Sequence, residues 1–344
     1  MKSRKNLFAV FERETLIPPP LWMMRQAGRY LPEYRETRAQ AGSFWKLCMS
    51  PKLASEVTLQ PIRRFGFDAA IVFSDILVVP AALGLAVEFE TGTGPKITAI
   101  SNANALKDRV EENLSALEPV YETLGIVRAT LDSSTSLLGF AGAPWTLATY
   151  IAAGGGGDEQ KAAKLWAYRD PIGFQELIDR LGVCVAEHLI RQLKAGADAV
   201  QIFDSWASGL TEQAFGQWVV APTKKIVATI RAAMPQARII GFPRATTLNG
   251  YEHYARDTGV DAISLDTSVP MTWAAKVLGP QIACQGNLDP MALVAGGRAL
   301  AEGVDVILAA MRDVPFIFNL GHGILPETPI AHVEDMVRRV RSGA

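Results

Sequence analysis

Arg25 and Arg29 stand four positions apart in "MMRQAGRYLPEYR", directly after the apolar lead-in "LWMM". Guanidinium forks match carboxylates and phosphates with parallel N–H donors. At i and i+4, the pair shares one face if "RQAGR" opens a helical turn. The bland alternative is two ordinary salt bridges to acidic neighbours. Asp75 follows the apolar run "AAIVFS", so its carboxylate enters an apolar mouth and needs a partner there. That partner is either the N–H groups of a following helix or a cationic or N–H-rich ligand. His322 lies between glycines in "NLGHGILPETP", where backbone N–H groups form an anion nest. It suits acid/base work or a loop hydrogen bond equally. Ser205, in "FDSWASGL", has no histidine close by and no GxSxG elbow, so it does not read as a nucleophile. Tyr150, in "GFAGAPWTLATY", offers a hydroxyl donor or simply packs.

These residues need elements to position them. Eight short apolar runs recur along the chain: 21–25, 69–73, 136–140, 199–203, 239–242, 262–265, 282–285 and 316–319. None alternates strictly with polar residues, as expected of strands buried on both faces. Helix-like stretches fill most gaps, the clearest being "PIGFQELIDRLGVCVAEHLIRQLKAGA", then "TKKIVATIRAAMP" and "ALVAGGRALAEGVDVILAAMRD". The alternation predicts an α/β fold, a (β/α)8 TIM barrel, with residues 1–344 as a single domain. The rival is a doubly wound sheet, but its GxGxxG does not follow the first run. The connection after the second strand is decorated: "VEFETGTGPKI" reads as a hairpin, followed by a charged helix near "NALKDRVEENLSAL". No internal repeat stands out. "GGGG" at 154–157 lacks the GK[ST] of a phosphate loop and reads as a flexible connection, or as a lid beside the third strand.

In a barrel of this kind function gathers where strands end. After the first run come Arg25, Gln26 and Arg29; after the second, Asp75; after the third, Pro144, Trp145 and Tyr150. Asp204 and Ser205 follow the fourth, Asp266 the sixth, Asn287 and Asp289 the seventh, and His322 the eighth.

Composition narrows the chemistry. With 34 basic and 35 acidic residues the net charge is −1, so no broad basic field points to nucleic acid or an anionic membrane. An anionic ligand must be caught by a local arginine cluster. The three cysteines form no CxxC, which argues against a disulfide framework and for a reducing, cytoplasmic setting. No apolar run approaches membrane-spanning length, and "MKSRKNLFAV" lacks the apolar core of a secretory signal. No lysine closes a strand run to form a Schiff base, and no HExxH, Cys/His pair or nucleotide fingerprint is present. The expectation is chemistry with neither metal nor organic cofactor, on a small molecule that supplies its own electron sink.

"PPLWMMRQAGRYLPEYR" and "GFAGAPWTLATY" resemble the two signatures of the uroporphyrinogen decarboxylase family, with "FSDIL", "FDSWA" and "GHGILPETP" in the expected order. The resemblance runs from about residue 7 to the C-terminus. One departure is Ser208, where a glycine is expected after "SWA". Cobalamin-linked methyltransferases of the wider superfamily share the barrel but carry cysteine-ligated zinc, a spacing absent here. The resemblance implies a cofactor-free homodimeric enzyme that converts the four acetate arms of uroporphyrinogen III to methyls, yielding coproporphyrinogen III. It further implies that Asp75 accepts the converging pyrrole N–H groups, and that Arg25, Gln26 and Arg29 hold carboxylate arms. Tyr150, Ser205 and His322 match positions that contact substrate carboxylates. The resemblance places the arginine cluster, with Arg29 nearest, where the proton is delivered, although guanidinium is a poor proton donor. Phe140 and Phe203 end two strands and pack either on the macrocycle or in the core. A non-catalytic tetrapyrrole carrier would keep the same residues and release no CO2.

Overall fold

A computed structural model describes residues 5–90, 94–107 and 110–343. Nine strands are present among these residues: β1 (Ala69–Ile71), β2 (Val87–Glu90), β3 (Gly94–Ile97), β4 (Ser136–Gly142), β5 (Ala199–Asp204), β6 (Arg238–Pro243), β7 (Ala262–Ser264), β8 (Ala283–Leu288) and β9 (Phe316–Leu320). Seven of them form one parallel sheet in the order β1-β4-β5-β6-β7-β8-β9. The run 21–25 was expected as a full strand, but it is pared to a single bridge between Leu21 and Phe318. That bridge still closes the barrel. Phe318 N–H donates to the Pro20 carbonyl, and Trp22 N–H returns a bond to Phe318. On the other side Asp68 N–H donates to Leu21. The eighth stave is short because the chain turns at once, with Gln26 N–H bonding the Met23 carbonyl.

A short motif, Gly-x-Asp-Ala, recurs at 66–69, 196–199 and 259–262. Each glycine has left-handed φ (64°, 117° and 78°), a conformation that ends a helix cheaply only for Gly. Each aspartate then clamps the preceding stave from below. Asp68, Asp198 and Asp261 accept the N–H of Leu21, Leu137 and Ile239 on a carboxylate oxygen, at 2.8, 2.7 and 2.8 Å. Their own N–H groups donate back to the same residues' carbonyls. Arg128 also bonds Asp198 at 3.0 Å, and Lys5 joins it. Asp198→Ala would strand the Leu137 N–H and remove the carboxylate partner of Arg128, which would keep its bonds to the Leu131, Asp132 and Thr135 carbonyls. A loss of about 1.5–3 kcal/mol is expected, read as a lower denaturation midpoint with activity per folded molecule unchanged.

Inside the barrel Trp22, Gln285, Gln201 and Ser264 are fully buried and joined across three strands and the first stave. Trp22 Nε1 donates to Gln285, whose amide nitrogen donates to Gln201 and Ser264, each at 3.1 Å. The interior is thus a packed plug, and open space is left to the strand ends.

The helix Pro171–Lys194 starts on Asp170, whose side chain accepts the Gly173 N–H, and it buries Phe174, Leu177, Ile178, Leu181 and Val185. The stretch 292–313, expected as one helix, is two: Pro290–Ala295 and Gly297–Ala310. Gly296 and Gly297 both have positive φ and break it. The decorated connection carries β2 and β3, paired antiparallel as expected; the hairpin tip, 91–93, lies outside the described residues. Within the charged stretch after it, 104–117, the helix Val110–Leu114 forms, and the helix Glu118–Thr130 follows; residues 108–109 lie outside the described residues. The glycine run at 154–157 is docked on this hairpin rather than free. Ile97 N–H donates to Gly154, and Gly155 bridges Lys96. A Cβ on Gly155 would lie 3.0 Å from the Pro95 carbonyl, so the close approach needs glycine.

Candidate active site

The expected helical turn at Arg25–Arg29 does not form; the helix begins only at Pro32. Arg25 instead takes a left-handed backbone, φ 61°, uncommon for a residue with a side chain. The neighbouring backbone fixes it there. Met24 N–H donates to the Asn319 side chain, and Ile324 N–H donates to the Met24 carbonyl, both at 3.0 Å. The Arg25 stem lies over Gly323, where a Cβ would come within 2.3 Å of its Cδ. Arg29 is held through its carbonyl by Arg35, and its charge bears on Tyr34, which packs on Phe73. Both arginines are exposed, and neither has a carboxylate within 4 Å among the described residues. The salt-bridge alternative therefore falls away. Gln26 differs from its expected contact with ligand. It is fully buried, with its amide nitrogen on the Ala69 carbonyl and its oxygen on Met23 N–H. Its geometry closes the barrel and sets the Arg25 turn.

Asp75 comes where β1 peels away from β4. The backbone groups freed by this parting are taken up by side chains: Phe73 N–H by Thr58, and both polar groups of Phe140 by the buried Gln192. The mouth opens there without orphaning backbone. Asp75 is half-buried and accepts the Leu77 N–H at 2.8 Å with one oxygen. One oxygen thus holds the turn, as the capping expectation has it, and the second is left for another donor. Burial raises its pKa above the ordinary carboxylate value, with the Leu77 hydrogen bond and the Arg25 charge opposing.

Phe140 and Phe203 are half-buried and meet edge to face, centroids 5.7 Å apart, forming an aromatic wall. Tyr150, on the helix Pro144–Ala153, packs against Trp206 at 6.3 Å. Beneath Ser205, buried Asp204 takes a hydrogen bond from Thr146, which in turn accepts Trp206 N–H. Its burial pushes its carboxyl up to about 7. Ser208 accepts a long bond from Gln160, and the left-handed glycine falls one position later, at Gly209. Asn287 and Asp289 are structural. Asn287 bonds the Asp266 and Val269 carbonyls, and Asp289 caps the helix Pro290–Ala295.

His322 is half-buried beyond β9. Burial, then the Arg244 and Arg25 charges, push its pKa down to about 3, against a weaker pull from Asp266. It is a neutral imidazole at neutral pH. A carboxylate ligand bound to those arginines would relieve the repulsion. In ring-carbon NMR titrations the free protein should therefore show His322 neutral far below pH 6.5, with its midpoint rising on addition of a polycarboxylate. A midpoint at or above 6.5 in the free protein would contradict this electrostatic picture. Arg244 itself escapes the sequence reading, which assigns nothing after the fifth run. The signal was available: "GFPR" carries a charge directly onto the mouth.

The arrangement is an apolar mouth with the Asp75 carboxylate, a neutral histidine, an aromatic wall, and guanidinium groups of Arg25 and Arg29 that hold no carboxylate partner among the described residues. Among the described residues no group of three His, Cys, Asp or Glu could hold a metal ion, and Cys48, Cys184 and Cys284 are buried and free. Fold and site together define a (β/α)8-barrel protein that gathers arginines, a carboxylate and a histidine at its strand ends.

The family model "Uroporphyrinogen decarboxylase (URO-D)" matches residues 2–343. A uroporphyrinogen decarboxylase of Brucella canis is 56% identical over 339 residues, covering 98% of this chain and 99% of that protein. One of Brucella melitensis biotype 2 is 57% identical over 338 residues, covering 98% of each. Among solved structures, a methyltransferase from Methanosarcina mazei superposes with a TM-score of 0.82 at 19% identity, covering 98% of this chain and 97% of that one. A B12-independent methionine synthase from a Shewanella species superposes with a TM-score of 0.55 at 11% identity, covering 85% and 86%. The structural likenesses establish the barrel alone. The chain belongs to the uroporphyrinogen decarboxylase family.

Proposed function

We propose that this chain removes the carboxyl groups from the four acetate arms of uroporphyrinogen III, giving coproporphyrinogen III, and that it does so without metal or organic cofactor. The observation that carries the reading is one carboxylate, Asp75, within electrostatic reach of Arg25, with neither Arg25 nor Arg29 holding a carboxylate partner within 4 Å among the described residues. Eight substrate carboxylates answer the arginines, and four inward pyrrole N–H groups answer the aspartate.

For each arm, a proton added to a pyrrole α-carbon makes the ring cationic. The bond to the carboxyl carbon then breaks, CO2 leaves, and its electron pair enters the ring to give an exocyclic methylene. Protonation of that methylene forms the methyl, and loss of the α-proton restores the pyrrole. Each turn consumes one proton net and releases one CO2. Asp75 contributes a fixed negative charge beside the cation, an interaction stronger in the transition state than in the neutral ground state. Arg25 and Arg29 hold the reacting and neighbouring carboxylates, Tyr150, Ser205 and His322 hold others, and Phe140 and Phe203 flank the macrocycle.

The full chain is proposed to act as one catalytic domain, as a homodimer, in the cytoplasm. No helix among the described residues is long and apolar enough to cross a membrane. The test is an anaerobic assay of purified, chelator-treated protein with uroporphyrinogen III, resolving products by carboxyl number. Conversion to the tetracarboxylate is expected. Binding without CO2 release would leave a carrier, and activity lost on chelation and restored by zinc would favour metal-dependent chemistry.

A further inference from the structure

We infer that Arg244 is an additional carboxylate-binding residue, holding a substrate arm on the side of the mouth opposite Arg25. The inference rests on the proposed substrate. Counting the first stave as one, β6 is the fifth of eight, so Arg244 leaves the barrel diametrically across from Arg25. A macrocycle with carboxylates around its whole rim needs cations on both sides, and Arg25 and Arg29 serve one side only.

Three observations support the assignment. The Arg244 backbone is fixed: its N–H bonds the Asp204 carbonyl at 3.0 Å, and the next residue, Ala245, is pinned to Asp266 at 2.7 Å. A guanidinium on so fixed a base is preorganised for a ligand. Its side chain is half-buried, with only a long 3.4 Å contact to the Ser205 carbonyl and no carboxylate within 4 Å among the described residues. A partly desolvated cation in that state favours an anionic partner. The obvious protein counterion is already occupied. Asp266 accepts Ser268 N–H on one oxygen, and Ala245 N–H and the Tyr251 hydroxyl on the other. Arg244 also lies within electrostatic reach of His322, and its contact with the Ser205 carbonyl sets it beside that residue. Ser205 lies beside Arg244 on the far wall, while His322, after the eighth stave, stands next to the Arg25 side and within reach of both arginines.

The test compares Arg244→Gln with wild type. Affinity for uroporphyrin, the oxidised octacarboxylate, is measured by fluorescence titration, and kcat and KM are measured with uroporphyrinogen III. The uroporphyrin Kd and the KM should rise together by roughly tenfold to a hundredfold, as for loss of a charge-assisted pair. Turnover at saturation should fall far less, and melts should stay within a degree or two of wild type. Unchanged Kd and KM overturn the inference, as does a fall in kcat alone. Should the Gln variant not fold, Arg244→Lys serves: loss of the planar fork should still weaken uroporphyrin binding several-fold, and an unchanged Kd there overturns the assignment. The binding arm is independent of catalysis. A wild-type protein that binds uroporphyrin but releases no CO2 sinks the proposed activity while leaving Arg244 to be judged on Kd.

Discussion

Asp75→Asn is expected to lower kcat by about a hundredfold to a thousandfold, by analogy with removal of one preorganised electrostatic group, while leaving the protein at least as stable at neutral pH. The two effects share a cause. Burial raises the Asp75 pKa in the folded state, so ionising it costs more there than in the unfolded chain. A carboxylate with a raised folded pKa subtracts stability at high pH, and that deficit vanishes as pH falls through the folded value. Asparagine removes the charge, and with it the deficit, while one oxygen still accepts the Leu77 N–H. Glutamate keeps the charge but moves it by one methylene, and should retain more turnover than asparagine despite its poorer fit. The kcat/KM profile of wild type should fall on its acid side above the ordinary carboxylate value of about 3.9, because the anion is the working form. An Asn variant with wild-type turnover would leave Asp75 as a turn-holding residue only.

Different features of this barrel are legible in the sequence for different reasons. The seven parallel strands were readable because strands buried on both faces are continuous apolar runs. The first stave was misread in extent for the same reason: "LWMMR" is as apolar as a strand, yet its backbone turns at Met23 to bring Arg25 into place. Nothing in the residue types announces the left-handed φ of Arg25, which is imposed by Asn319 and Ile324, some 300 positions away. Gln26 was expected at the ligand because it follows the first strand run within the stretch that resembles the family signature. Its burial depends on a contact with Ala69 that sequence spacing cannot supply. Nothing was assigned after the fifth run, and only the stave order puts Arg244 across from Arg25. Asp75 reads two ways in the sequence, as a helix cap or as a ligand contact, and the structure shows the local bond to the Leu77 N–H.

Arg25→Ala and Arg29→Ala are each expected to lose about 2–4 kcal/mol of transition-state stabilisation, or about thirtyfold to a thousandfold in kcat/KM. Neither arginine has a protein counterion among the described residues, so neither substitution breaks an ion pair in the free protein. The loss should therefore appear in activity without a matching loss in melting temperature. Lysine should not restore either site, because a point charge lacks the planar fork that grips a carboxylate with two bonds. Arg25 allows a further separation of backbone from side chain. Its φ of 61° is strained for alanine and free for glycine. Arg25→Gly should thus melt higher than Arg25→Ala, by about 1 kcal/mol in stability, while both are equally inactive. If activity instead followed stability across the two variants, Arg25 would be acting through its backbone turn rather than its charge. A folded Arg29→Ala protein with near-normal kcat/KM would remove Arg29 from the binding of the reacting acetate.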